Sequence, residues 1–316
     1  MKLEQIEKSS NVINPTILGE GNSSVKIAGE DSLPFLHREG KSGNRPIVAY
    51  EVFDSVPSDW PKSLKDEFKG VINKPIEWAS FCKNELNAQV ICLRLAGVHP
   101  DFGNASAQDS AKLCRDIYAK VNLPLVVIGC GDDQRDNKIL PECSKALKGK
   151  NCFFGNATID NHKTLVASCI ADGNGIIAQS PIDINIAKQL NILISEVGLP
   201  LDKIIINSTV GALGYGLEYA YSIMERARLA ALMGDKMLAM PFICFIGQES
   251  WRAKESKASV KSNPDWGNEY ERGVNWEAVT ANAFLHAGAD ILVMRHPKAG
   301  KIINSSINEL SKKGIT

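Results

Sequence analysis

No stretch of this sequence is long and apolar enough to cross a bilayer. The most apolar run, Met237–Ile246, falls far short of the roughly 20 residues that a spanning helix needs, so no membrane association is expected. An excess of one charge is also missing: 36 basic residues balance 36 acidic ones, with no basic tract and no basic patch interleaved with aromatics. That balance argues against a nucleic-acid partner, whose phosphates require clustered Lys and Arg. Met1–Asn11 is polar and charged, so no secretory signal is expected. None of the eight cysteines stands in a C-x-x-C pair or in clustered spacing, which argues against a zinc or iron–sulfur site on this chain. Most lie in apolar runs such as Val90–Leu95 and Val126–Cys130, where a free cysteine behaves as a small hydrophobe. Reduced thiols in a cytoplasmic protein are the expectation. No Walker loop and no G-x-S-x-G elbow occur, and the five histidines are scattered.

What the sequence does contain is a regular alternation. From residue 47 onward, short β-branched runs predict strands at Ile47–Phe53, Val90–Ala96, Leu125–Cys130, Cys152–Ala157, Gly175–Gln179, Lys203–Asn207, Met237–Ile246 and Ile291–Arg295. Amphipathic stretches between them predict helices at Pro75–Leu86, Asp109–Val121, Lys138–Leu147, Asn161–Ala171, Asp183–Val197, Leu217–Met233, Asn275–Ala287 and Lys301–Lys312. Eight strands alternating with eight helices predict an α/β chain folded as a (β/α)8 TIM barrel over 47–316. A doubly wound sheet is the alternative, but no G-x-G-x-x-G follows Ile47–Phe53. Residues 1–46 form an N-terminal extension in which Ile17–Ile27 reads as a β-hairpin. It either plugs the barrel bottom or extends to a partner.

In such a barrel the chemistry sits at the strand C-termini. The side chains expected there are Glu51 and Asp54, Arg94 and His99, Asp132 and Asp133, Asn156 and Thr158, Gln179 and Ser180, Asn207 and Thr209, Gln248 and Glu249, and Arg295 and His296. They make a hydrogen-bonding floor of amides, hydroxyls and glycine backbone, suited to gripping a cofactor rather than to acid–base work. Asp132 and Asp133 are adjacent and are expected to point apart, and no metal-ligand group is expected. After the sixth strand, Gly211, Gly214 and Gly216 precede a helix. They make either a tight turn that needs positive φ or a cradle for ligand oxygens at a helix N-terminus. A long insertion, Gly247–Gly273, carries Trp251, Trp266 and Tyr270 among charges. It is either an interface or lid, or a solvated loop with its aromatics folded back on the barrel.

Four runs go further. Asn207-Ser-Thr-Val-Gly-Ala-Leu-Gly-Tyr-Gly-Leu-Glu-Tyr, Met224-Glu-Arg-Ala-Arg-Leu-Ala-Ala-Leu, Gly247-Gln-Glu-Ser-Trp-Arg-Ala-Lys-Glu-Ser and Gly288-Ala-Asp-Ile-Leu-Val-Met-Arg-His-Pro resemble the small subunit of the corrinoid iron–sulfur protein. The archaeal form of that family is the delta subunit of the acetyl-CoA decarbonylase/synthase complex. The resemblance covers essentially the whole chain. It implies a (β/α)8 barrel and a heterodimeric methyl carrier in the reductive acetyl-CoA (Wood–Ljungdahl) pathway. A cobalamin-type corrinoid would take a methyl group from methyltetrahydrofolate on a separate methyltransferase and pass it to acetyl-CoA synthase/CO dehydrogenase. The 4Fe–4S cluster would belong to the large subunit, with the corrinoid at the interface. The resemblance places Thr209, Gly211, Ala212, Gly214, Tyr215, Gly216, Gln248, Glu249 and Arg295 toward the corrinoid. His99 lacks the aspartate of a D-x-H-x-x-G motif, so no cobalt ligand is expected from this chain. The competing reading is a pterin-binding methyltetrahydrofolate methyltransferase, with Asn156 and Asn207 hydrogen-bonding the pterin edge.

Overall fold

Strands rich in Ile, Val and Leu are stable only when both faces are covered, and the chain covers them with helices outside and side chains within. The structure, a computed structural model, describes residues 8–312. A hairpin of β1 (Thr16–Leu18) and β2 (Val25–Ile27) comes first. There follow β3 (Ile47–Phe53), α1 (Lys62–Asp66), α2 (Pro75–Leu86), β4 (Val90–Arg94), α3 (Ala107–Val121), β5 (Leu125–Ile128), α4 (Asp133–Ala146), β6 (Phe153–Ala157) and α5 (His162–Asp172). The chain continues through β7 (Gly175–Gln179), α6 (Ile184–Val197), β8 (Ile204–Asn207), α7 (Leu217–Leu232), β9 (Ile243–Cys244), α8 (Ile246–Ser250), α9 (Lys254–Lys257), α10 (Glu269–His286), β10 (Ile291–Met294) and α11 (Pro297–Leu310).

Strands β3 to β10 form one parallel sheet in the order β8-β7-β6-β5-β4-β3-β10-β9. A parallel bridge between Ile206 and Phe242 joins its two edges, and the Ile206 N–H donates to the Pro241 carbonyl at 2.8 Å. The barrel expected from the sequence is therefore present. Alternate residues point inward: Ile47, Ala49, Cys92, Ile128, Phe153 and Val293 are among those that form the buried interior. Leu18 and Ile27 of the hairpin belong to that same interior cluster, so the hairpin plugs the barrel bottom. Asn151 fastens it there by donating to the Ile17 carbonyl at 2.7 Å.

Several boundaries differ from the sequence expectation, each through local chemistry. Helix α4 starts five residues early because Asp132 caps it, accepting the Arg135 N–H at 3.1 Å. Helix α10 starts at Glu269 because Asn268 accepts the N–H groups of Tyr270 and Glu271 at 2.9 and 3.1 Å. The expected strand Met237–Ile246 shrinks to Ile243–Cys244. Asp235 turns the chain by accepting the Met237 N–H at 3.1 Å, and Pro241 has no N–H to give to a ladder.

Below the barrel, Arg228 of α7 is buried and binds two carboxylates. Its Nη1 lies 2.9 Å from Glu30 of the N-terminal extension, and its Nη2 pairs with Asp290 at the start of β10. Asp290 also accepts the Phe242 N–H at 2.8 Å. Burial pushes the Glu30 carboxyl up to about 7 against the pull of Arg228. This knot ties the extension to α7, to the start of β10 and, through Phe242, to the approach to β9.

Candidate functional site

Two residues beyond inward-facing Ala49, Cys92 and Val293 come Glu51, Arg94 and Arg295, so the strand period directs all three into the barrel mouth. Glu51 is buried and accepts Arg94 Nε and Arg295 Nε, each at 2.5 Å, one on each oxygen. Burial alone would raise its carboxyl, but the Arg295 and Arg94 guanidinium groups outweigh that and hold it below the usual carboxylate range. Arg94 Nη2 also donates to Gln248 Oε1 at 2.7 Å, and Gln248 Nε2 donates to Glu249 at 3.0 Å. The Arg94 guanidinium lies 5.4 Å from the centre of the Phe245 ring, and that of Arg295 lies 5.3 and 5.2 Å from Phe53 and Trp60. The charged members of the expected set, Glu51, Arg94 and Arg295, are brought together by the fold. One side of the floor is a bridged ionic cluster with two cations to one carboxylate.

The other side is the expected amide floor. Asn207 Nδ2 donates to Asn156 Oδ1 at 3.2 Å, and Asn207 Oδ1 accepts the Thr209 N–H at 3.1 Å. Thr209 sits at φ +57°, held there by a 2.6 Å bond from its hydroxyl to the Ser180 carbonyl. Asp132 and Asp133 do point apart. Asp132 caps its own helix, while Asp133 accepts Thr158 Oγ1 at 3.1 Å and Asn161 Nδ2 at 2.9 Å. Asn161 also donates to the Asn156 backbone carbonyl at 3.2 Å, which links Asp133 to the backbone of Asn156. Asn161 was missing from the sequence reading because it stands at a helix start, not a strand end.

The glycine loop folds onto itself. A Cβ on Gly211 would collide with the Tyr215 carbonyl and lie 2.8 Å from the Gly216 carbonyl carbon; Gly214 and Gly216 have φ of +74° and +82°. Positive φ accounts for Gly214 and Gly216, and close approach of the backbone for Gly211. Ala212 is buried. Two loop N–H groups are already used, Leu213 on Thr280 at 3.3 Å and Tyr215 on the Ala212 carbonyl at 2.9 Å. What the loop presents outward is Tyr215, half-exposed, whose hydroxyl donates to Glu255 of α9 at 2.9 Å.

The insertion divides between its two readings. Trp251 is folded back and buried: its indole N–H donates to Glu277 of α10 at 2.7 Å, and it stacks on His296 with centroids 5.9 Å apart. Tyr270 donates to Glu67 at 3.0 Å. Trp266 stays partly exposed, with Lys254 and Arg272 over its ring. Each histidine near a strand end accepts a backbone N–H at Nδ1. His99 accepts the Asp101 N–H at 3.3 Å. His296 accepts the Lys298 N–H at 3.1 Å, and burial followed by the Lys298 charge pushes its imidazole down to about 4.

Around this floor stands a rim. Val56, Phe102, Ile159, Ile182, Tyr215 and Trp266 are between 38 and 56 % exposed, and they rise from the connections after β3, β4, β6, β7, β8 and β9. Exposed apolar residues scattered singly need no explanation; these six share the end of the barrel at which the strands finish. Among the described residues, no three or more His, Cys, Asp or Glu side chains gather to hold a metal, and no described helix is long and apolar enough to cross a membrane.

The closed (β/α)8 barrel has the architecture seen in dihydropteroate synthases. The chain superposes on that of Coxiella burnetii, solved with pteroic acid, at a TM-score of 0.59 with 11 % identity, covering 94 % of this chain and 99 % of the other. On the Xanthomonas albilineans enzyme the TM-score is 0.58 with 12 % identity, covering 86 and 95 %. At such identity the likeness concerns the fold alone. Within that fold the chain belongs to the CO dehydrogenase/acetyl-CoA synthase delta subunit family, whose model matches residues 16–305. It is 31 % identical over 301 residues to the acetyl-CoA decarbonylase/synthase complex subunit delta of Methanothermobacter thermautotrophicus, covering 95 % of this chain and 76 % of the relative. Subunit delta 2 of Methanosarcina acetivorans is likewise 31 % identical, over 290 residues and 90 % of this chain. The chain spans 66 % of that protein's length.

Proposed function

We propose that this chain is the small subunit of a heterodimeric methyl carrier in acetyl-CoA synthesis, its barrel mouth forming one wall of a corrinoid site that a larger subunit completes. The observation that carries this reading is the rim of exposed apolar loop tips around a polar floor. A corrinoid matches it, being a broad, largely apolar macrocycle fringed with amides. The relatives' names, subunits of an acetyl-CoA decarbonylase/synthase complex, support the same assignment. When bound, the corrinoid supplies a cobalt that accepts and releases a methyl group. Tyr215, Gln248, Glu249 and Arg295, with Thr209, Gly211, Ala212, Gly214 and Gly216 behind them, form this chain's share of the wall. His99 lacks the aspartate of a D-x-H-x-x-G motif, and His296 is fully buried against Trp251 and Tyr270, which supports a cobalt with no ligand from this chain. The 4Fe–4S cluster belongs to the large subunit in this reading. The methyl donor is methyltetrahydrofolate on its methyltransferase, and the acceptor is acetyl-CoA synthase/CO dehydrogenase.

Purification tests it. The isolated chain is expected to be colourless, and the heterodimer with the large subunit to hold corrinoid. The rim pair Val56→Asp and Tyr215→Asp is expected to weaken corrinoid retention in the heterodimer at least tenfold, about 1.4 kcal/mol, with an unchanged melting temperature for the free chain. Retention equal to wild type sinks the reading.

A second reading has its own observation: the facing amides of Asn156 and Asn207 with Asp133 linked through Asn161. Together they offer donors and acceptors to a pterin edge, and the fold neighbour from Coxiella burnetii was solved with pteroic acid. Titration calorimetry of the single chain with methyltetrahydrofolate decides between the two. Tight one-to-one binding, lost in Asn207→Ala, favours a pterin-binding methyltransferase; no heat favours the corrinoid wall.

A further inference from the structure

We infer that Glu277 is a positioning residue for the barrel mouth: one buried carboxylate on α10 holds both the end of β10, which carries Arg295, and the insertion, through Trp251. Its Oε1 accepts the Arg295 N–H at 2.6 Å, its Oε2 accepts the Trp251 indole N–H at 2.7 Å and the His296 N–H at 3.1 Å. Glu277 is fully buried, and among the described residues no cation lies within salt-bridge distance of it. The guanidinium of Arg295 is turned away toward Glu51. A buried carboxylate without an ion partner is expensive, so what it holds must matter more than what its burial costs.

A second feature of the same helix points the same way. Gly273 lies one turn before Glu277 on one helix face, and a Cβ there would sit 2.5 Å from the Trp251 ring and 2.8 Å from the Ser256 carbonyl. Helix α10 thus leaves a slot for the indole and places an acceptor at its end. At the other end of the insertion's first turn, a Cβ on Gly247 would meet the Arg295 backbone nitrogen at 2.7 Å. The insertion, Trp251 and Arg295 are therefore seated as one unit. Gln248 extends that unit to Arg94, and Glu255 extends it to the Tyr215 loop.

The inference rests on the corrinoid reading only for what Arg295 does, so the clamp and the ligand are measured separately. The titratable and charged groups facing Glu277 are Arg295 and His296 from β10 and Tyr50 from β3; from the insertion it meets only the neutral Trp251. Burial pushes the carboxyl up to about 7 from an ordinary 4.5. An opening that exposes it lets it return toward 4.5, so opening grows as pH rises through that window and levels off above 7.

Trypsin reads the insertion at Arg252, Lys254 and Lys257 in the free chain. Glu277→Ala, which strands three donors, is expected to speed cleavage there at least tenfold at a temperature well below its melting point, where the barrel stays folded. Glu277→Gln, keeping one carbonyl oxygen, is expected to recover part of the protection. Relative to Glu277→Gln, wild-type cleavage is expected to rise from pH 5 to pH 8. Cleavage that merely follows global unfolding in all variants, or a flat pH ratio, overturns the clamp. In the heterodimer, Glu277→Ala is expected to lose corrinoid. Fast cleavage with full corrinoid retention would uphold the clamp and count against the corrinoid wall.

Discussion

Arg228→Ala is expected to cost about 3–5 kcal/mol of stability, read as a drop in the urea midpoint with little change in slope. The guanidinium is buried between Glu30 and Asp290 and also donates to the Gly288 carbonyl at 2.7 Å. Removing it leaves two carboxylates in a dry site, which is worse than removing all three charges together. Asp290 keeps the Phe242 N–H, so the strain falls mainly on Glu30 and on the extension it tethers. The sign of the pH dependence follows. Glu30 already sits near 7 with Arg228 in place, and loss of the cation raises it further. Protonation then relieves the variant at low pH, so the difference between variant and wild type is expected to be larger at pH 8 than at pH 5.5. The triple change Glu30→Gln, Arg228→Met, Asp290→Asn is expected to be milder than Arg228→Ala alone. A loss below about 1 kcal/mol for the single variant would show that the knot is not an energetic centre of the barrel bottom.

The strands were legible because fully covered strands read as plain β-branched runs, and Ile204–Ile206 or Leu125–Ile128 leave little else to be. The seventh was drawn too long because its apolar residues continue back through Pro241 to Met237, and hydrophobicity does not register a missing N–H. Helix α10 was found only from Asn275 onward, since Gly273 and the charged first turn interrupt the apolar face. The ionic floor was half legible: Glu51, Arg94 and Arg295 were all placed at strand ends. Their pairing followed from the inward parity of Ala49, Cys92 and Val293, a step that needs only the period of two. Glu277 was not legible at all. It lies in mid-helix, far in sequence from the strand end it serves, and nothing in its neighbourhood distinguishes it from a solvated glutamate. The one available hint was Gly273, a glycine inside a helix, which weakens the helix by about 1 kcal/mol and so asks for a reason in packing.

Glu51→Ala is the second large effect, and it acts at the opposite end of the barrel. The substitution leaves Arg94 and Arg295 facing one another over a low-dielectric floor, each stripped of its Nε acceptor. Breaking a buried pair costs about 3–5 kcal/mol, and here two pairs share one carboxylate. The aromatic rings of Phe245, Phe53 and Trp60 still receive the guanidinium groups, which offsets part of the loss, by about 0.5–2 kcal/mol for each contact. Glu51→Gln keeps the shape but can accept through one oxygen only, so an intermediate loss is expected. The acid limb separates the charge from the shape. The Glu51 carboxyl is held below its ordinary 4.5 in the folded chain, so its contribution is fully present above 4.5 and is lost as pH falls through the lowered folded value. Wild-type stability is therefore expected to fall more steeply than that of Glu51→Gln in this acid range. Because Arg295 is held by its backbone on Glu277 and by its guanidinium on Glu51, the Glu277 and Glu51 variants act on one residue, the first at its backbone and the second at its side chain. Glu51→Ala is expected to release the guanidinium while Trp251 stays clamped, so trypsin should find the insertion as protected as in wild type. If instead the insertion opens in both variants, Arg295 rather than Glu277 holds the mouth together.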